Sequence, residues 1–116
     1  MCLFFAKEEF KCPCCGLSYV DDKLIKMLNK ARKIAGIPFI INSGFRCGEH
    51  NKNIGGYPTS SHMTGLAADI KCKNSKDRLI MLKALIEAKF NRIGIGNTFI
   101  HVDCDNSKTS DRIWTY

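Results

Sequence analysis

The stretch Ser60-Ser61-His62-Met63-Thr64-Gly65-Leu66-Ala67-Ala68-Asp69 sets a histidine and an aspartate around a glycine, with only small side chains beside the aspartate. A second histidine, His101, lies in the apolar run Phe99-Ile100-His101-Val102-Asp103. An imidazole on a core strand needs a partner, because burying it unpaired costs about 1–3 kcal/mol. Taken singly, a surface His62 and a strand His101 satisfied by a backbone carbonyl would meet that need. A cation would satisfy several such groups together. Zinc in catalytic sites takes three protein ligands, with mixed histidine and carboxylate sets well suited, and leaves a fourth position open. His62, Asp69 and His101 provide such a set.

These residues need elements to position them. From Asp21 the apolar positions Leu24, Met27, Leu28, Ala31 and Ala35 recur at helical spacing, after a cap at Asp21 or Asp22 and ahead of Gly36 as a stop. Residues 37–43 are short, β-branched and apolar, with Pro38 only near the start, which predicts a buried strand ended by Gly44. Residues 44–61 carry Gly44, Gly48, Gly55, Gly56 and Pro58 and suit a long loop, or a broken helix followed by a turn. Long irregular segments inside compact domains are often functional.

A strand over 66–71 is expected next, then a helix over 75–89 with Leu79, Leu82, Leu85 and Ile86 on one stripe and Asn74 or Ser75 as its cap. Strands near 92–95 and 98–104 follow, with Gly96-Asn97 as the tight turn between them. The sum is α+β: a single domain over 1–116, with helices packed on one face of a mainly antiparallel sheet. Period-2 alternation puts Ala67, Asp69 and Lys71 on one face, and Phe99, His101 and Asp103 on one face of the last strand. The small Ala67 beside Asp69 leaves room for a ligand.

Composition bounds the function. A chain of 116 residues has room for one catalytic domain. Hydrophobic content of 45% with 25% charged residues is that of a globular protein, and no apolar run approaches the ~20 residues that span a bilayer. Met1-Cys2-Leu3-Phe4-Phe5-Ala6 lacks a basic leader and is followed at once by Lys7-Glu8-Glu9, so no secretion signal is read there. The net charge of +7 favours polyanionic partners: nucleic acid, an anionic membrane or the acidic polymers of a bacterial wall. Nucleic acid is not expected, because interleaved aromatics and a finger spacing are missing. Seven cysteines cannot all pair within one chain.

The pattern S-x-H-x-x-G-x-A-x-D, carried by Ser60, His62, Gly65, Ala67 and Asp69, resembles the first metal-binding motif of the zinc D-alanyl-D-alanine peptidase family, which holds carboxypeptidases and peptidoglycan endopeptidases. The resemblance continues through Glu9-Phe10, Asn42-Ser43-Gly44-Phe45-Arg46-Cys47, Glu49-His50-Asn51, Ile54-Gly55-Gly56, His101-Val102-Asp103 and Arg112-Ile113-Trp114, nearly the whole chain. It is similar to the small, single-domain branch of that family. The resemblance implies one catalytic Zn²⁺ held by His62, Asp69 and His101. It makes Arg46 the clamp for a substrate carboxylate, which suits a planar fork that binds carboxylates bidentately. It gives Ser60 a hydrogen bond to substrate, with a turn-forming serine as the alternative; His50 is read as orienting its loop.

Many relatives carry an acid three positions before the last histidine, where this chain has Thr98. Asp103, about 6–7 Å along the strand from His101, is the candidate replacement as catalytic base, or else an acceptor that fixes an imidazole. Cys12-Pro13-Cys14-Cys15 with Cys47 reads as a structural zinc knot, as buried thiols, or as a disulfide of the Cys12 to Cys47 type; C-x-C-C is not the familiar C-x-x-C spacing. Cys72 and Cys104, at strand ends, are expected in the core.

The expected activity is zinc-dependent hydrolysis of peptide bonds in peptidoglycan stem peptides by a monomer that inserts in no membrane. It would act on the cell wall, as a phage- or virus-like enzyme or after export by another route. The alternative is a non-catalytic zinc- and wall-binding module, as in Hedgehog signalling domains, which resemble this fold.

Overall fold

The first helix, α1 (Asp22–Ala35), starts where an aspartate can cap it: Asp21 accepts a hydrogen bond from the Lys23 N–H at 2.8 Å. It stops where Gly36 turns left-handed at φ 69°. The computed structural model describes residues 4–116. The reading of no secretion signal at Met1-Cys2-Leu3-Phe4-Phe5-Ala6 therefore lies partly outside the described residues, at 1–3. The other helices are α2 (Gly48–Asn53) and α3 (Ser75–Glu87), with short 3₁₀ turns at Lys7–Phe10 and Ser61–Thr64. The fold is α+β, as expected.

Helix α3 begins at Asn74, whose side chain accepts from the Asp77 N–H at 2.8 Å. Its buried face is the expected one only in part: Leu85 is buried and Leu82 packs against the core. Met81, Ala84, Leu85 and the following Ala88 are buried, whereas Leu79 and Ile86 are 60% and 54% exposed. Two overlapping i, i+3/i+4 sets exist on this helix, and α3 packs on α1 with the one that carries the small Ala84 and Ala88. Small side chains let the helix come closer than Leu79 and Ile86 would.

Among the described residues five strands, β1 (Ile41–Ser43), β2 (Ala67–Lys71), β3 (Arg92–Ile95), β4 (Phe99–Asp103) and β5 (Arg112–Thr115), form one sheet in the order β1-β2-β4-β3-β5. All pairs are antiparallel except β3 with β5. The strand expected over 37–43 begins only at Ile41; it is an edge strand with an irregular register, and Ile40 is 54% exposed. Pro38 donates no ladder bond, and an edge has only one neighbour to pair with. β5 was expected only as an Arg112-Ile113-Trp114 resemblance and is a strand in its own right.

One face of the sheet carries Ala68, Ile70, Ile93, Ile100 and Val102, which pack with Leu24, Leu28, Met81 and Leu85 into the core. Cys72 and Cys104 also lie in that core. The other face is the working one. Register places Asp69 opposite His101, His101 opposite Gly94, and Gly94 opposite Trp114, a single row across four strands. Gly94 is required there, since a Cβ would sit 2.5 Å from the Trp114 indole nitrogen.

The expected turn at Gly96-Asn97 is displaced by one residue. Gly96 N–H donates to the Phe99 carbonyl at 2.9 Å, so the loop is Asn97-Thr98. Moving the turn by one changes each cross-strand partner by two, and it brings Arg92 to Asp103.

The segment leading to α2 is held against the N-terminal 3₁₀ turn. Phe45 N–H donates to the Phe10 carbonyl at 2.8 Å. A Cβ on Gly44 would lie 2.5 Å from the Phe10 Cα, which is backbone and cannot swing away. Gly44→Ala is therefore expected to cost about 1–3 kcal/mol of stability, read as a lowered thermal midpoint; an unchanged midpoint would refute this close approach.

Candidate metal centre

Three separate elements deliver the three candidate ligands. His62 rides on the Ser61–Thr64 turn, which Ser60 caps by accepting the His62 N–H at 3.2 Å and Gly65 ends at φ 71°. Asp69 and His101 sit at the centres of β2 and β4 and are direct cross-strand partners. Asp69 Oδ1 is 2.9 Å from His101 Nδ1 and 3.3 Å from His62 Nε2. The ligand atoms of all three lie within 4.8 Å of one another.

The far side of each imidazole is held as well. His62 Nδ1 is 2.7 Å from the Gly44 carbonyl oxygen. A carbonyl only accepts, so Nδ1 carries a proton and Nε2 is the nitrogen turned toward Asp69. His101 Nε2 is 2.9 Å from Asp103 Oδ2, and donation to that carboxylate leaves Nδ1 free to face Asp69. Asp103 is 1% exposed; its Oδ1 accepts from Arg92 Nε at 2.7 Å and from the Asp105 N–H at 3.3 Å. Arg92 lies over the Trp114 ring at 5.1 Å. Outer partners that fix imidazole tautomers are a regular part of zinc sites, so the donor set fits a divalent ion with nitrogen and oxygen preference.

The charges are strongly coupled. Burial alone would raise the pKa of Asp69, but hydrogen bonds from His101 and His62 hold it well below the usual carboxylate range. Burial would lower the pKa of His101, but Asp103 and Asp69 raise it above 6.5. Asp103 is likewise held low against its burial, by His101 and Arg92.

For the metal-free chain the signs give a window. The carboxylates contribute stability above their unfolded values of about 4 and lose it as pH falls through the lower folded values. His101 contributes below about 6.5 and loses its contribution as pH rises through its higher folded value. The metal-free thermal midpoint should peak between about pH 4 and 6.5. Zinc should raise the midpoint more at about pH 8 than at about pH 5, because it displaces the His101 proton; a pH-independent increment would contradict this.

The triad opens into a cleft of about 940 Å³ lined by Arg46, Ser60, Tyr57, Arg92, Lys108 and Arg112, among others. Arg46 Nη2 is 3.5 Å from Asp69 Oδ2, while Nη1 reaches Asn51 Oδ1 at 3.4 Å and Nε reaches Ser43 Oγ at 3.2 Å. His50 lies outside this lining; its backbone N–H donates to Cys47 Sγ. Thr98 is exposed on the β3–β4 loop, and its carbonyl accepts from the Cys72 N–H. Asp103 lines the cleft with both oxygens engaged, a geometry that favours the imidazole-fixing role over that of free base.

Sequence reasoning did not single out Arg92 or Asn51. Asn51 is 2% exposed and bonds both the Tyr57 carbonyl and Arg46. A correct hairpin register would have found Arg92 by placing it opposite Asp103; Asn51 stood in the sequence only as part of the Glu49-His50-Asn51 resemblance, with no role attached.

A family model described as Peptidase M15 matches residues 5–103, most of the chain and all three candidate ligands. No curated protein matches the chain.

Proposed function

The chain belongs to the peptidase M15 family, of zinc D-alanyl-D-alanine carboxypeptidase type, and we propose that it hydrolyses peptide bonds in peptidoglycan stem peptides. The observation that carries this reading is the Asp69–His101–His62 cluster, with its outer partners in place, at the floor of a cleft whose wall presents Arg46. His62, Asp69 and His101 would hold one zinc ion. When bound there, zinc supplies a Lewis acid that polarises a scissile carbonyl and lowers the pKa of a water toward ~7.

The chain's own residues do the rest. Arg46, already held by Ser43 and Asn51, presents its fork to a substrate carboxylate. Ser60 offers a hydroxyl at the cleft wall to the peptide. Asp103 keeps His101 in one tautomer, and Arg92 keeps Asp103 ionised. The cationic groups Arg46, Arg92, Lys108 and Arg112 suit the carboxylates of stem peptides.

A second reading, a zinc-loaded wall-binding module without hydrolysis, is favoured by one observation. Within the cleft, Asp103 has both oxygens engaged and Asp69 faces two imidazoles, while Thr98 stands outside it. Mass spectrometry of peptidoglycan digested with the zinc-loaded protein decides. Release of D-alanine indicates a carboxypeptidase, and new amino termini within cross-links indicate an endopeptidase. Binding to the wall with no new product would establish the second reading instead.

A further inference from the structure

Away from the cleft, three cysteines converge. Cys12, Cys15 and Cys47 bring their sulfurs within 4.8 Å of one another, and Cys14 stands exposed in the same turn. Cys12 and Cys15 form a C-x-x-C pair that the intervening Cys14 hides in the written sequence, and this is a spacing by which structural zinc is held. The turn between them is closed by backbone bonds, Gly16 N–H to the Cys12 carbonyl at 2.9 Å and Cys12 N–H to the Leu17 carbonyl at 2.7 Å. Gly16, at φ 78°, supplies the left-handed residue that such a turn needs. Cys47 arrives from the opposite side as the residue before α2.

Two features distinguish this cluster from thiols that merely share a core. The Cys12 and Cys47 sulfurs are 3.7 Å apart. Tetrahedral coordination with metal–sulfur bonds of about 2.3 Å has sulfur–sulfur edges of about 3.8 Å. The sulfurs also receive backbone N–H groups: Cys47 N–H points to Cys12 Sγ at 3.5 Å and His50 N–H to Cys47 Sγ at 3.4 Å. Such donors stabilise the thiolate, which is the form that binds metal.

We propose that Cys12, Cys15 and Cys47 hold a structural zinc ion separate from the one in the cleft, with Cys14 of the same turn as the candidate for the fourth position. Each thiol gives its proton to solvent on binding, and no oxidation state changes. Soft thiolates in a tetrahedral set select zinc over magnesium or calcium. The ion would tie the N-terminal segment to the residue directly after Arg46, and so brace the loop that presents Arg46 to the cleft.

The test uses the full chain, purified under reducing conditions and dialysed after zinc loading. Metal analysis should find two equivalents in the parent, one in His62→Ala/His101→Ala and one in Cys12→Ser/Cys15→Ser. Because Cys12 is fully buried, its replacement can disturb folding, so cobalt(II) is also titrated into the His62→Ala/His101→Ala variant. Thiolate ligation there gives intense sulfur-to-cobalt charge-transfer absorption, which imidazole and carboxylate ligands do not produce. A histidine variant that retains no metal, a cobalt complex without that absorption, or a parent chain whose Cys12 and Cys47 are joined as a disulfide would each overturn the proposal. None of these readings depends on peptide hydrolysis, so the outcome stands apart from that of the proposed activity.

Discussion

Replacing His62 or Asp69 with alanine should remove the cleft ion and the hydrolysis of wall peptides together. Two ligands are too few to hold zinc where three and a water are needed. The loss of turnover should exceed the 10–100-fold typical of residues that merely support a ligand. His62→Ala is the cleaner variant, since Asp69 keeps His101 at 2.9 Å and Arg46 at 3.5 Å and no buried carboxylate is orphaned. Asp69→Asn keeps the shape of the side chain and weakens its charge. Metal content by elemental analysis and product release by mass spectrometry are read on the same preparations. Full hydrolysis by the metal-free His62→Ala protein would sink both the ligand assignment and the proposed activity.

The second large effect is expected at the buried pair behind His101. Asp103 is 1% exposed and its Arg92 partner 14%, so Arg92→Met leaves a buried carboxylate with only His101 and the Asp105 N–H as partners. Removing one member of a buried pair costs about 3–5 kcal/mol, and the thermal midpoint should fall accordingly. Asp103→Ala frees His101 Nε2 and should weaken zinc binding about 10–100-fold. The contrast between roles comes from measuring affinity and turnover separately. If Asp103 acts by holding the imidazole, zinc affinity and turnover fall together and excess zinc restores much of the rate. A rate that collapses while zinc affinity stays at the parental value would make Asp103 the base after all.

Much of this site was legible in local pattern. Alternation put Asp69 on one face beside Ala67, and His101 with Asp103 on one face, and the sheet keeps both statements. The cap and stop of α1 were legible for the same reason, because Asp21 and Gly36 act on their own neighbours. The buried stripe of α3 was legible only at Leu82 and Leu85, since two overlapping sets of apolar residues fit the helical period and only the contact with α1 selects between them.

By itself, the sequence determined which residue types stand where a metal could use them, and which way each points along its own strand. These follow from backbone geometry within a few residues. Tertiary structure alone decided who meets whom. A hairpin turn one residue further along joined Arg92 to Asp103 without altering any local preference. The Gly44 carbonyl that fixes the His62 tautomer and the Cys47 sulfur that completes the cysteine cluster lie 18 and 35 residues from their partners. Contacts across such separations depend on how the whole sheet and its loops pack, and no spacing rule within a single element contains that information.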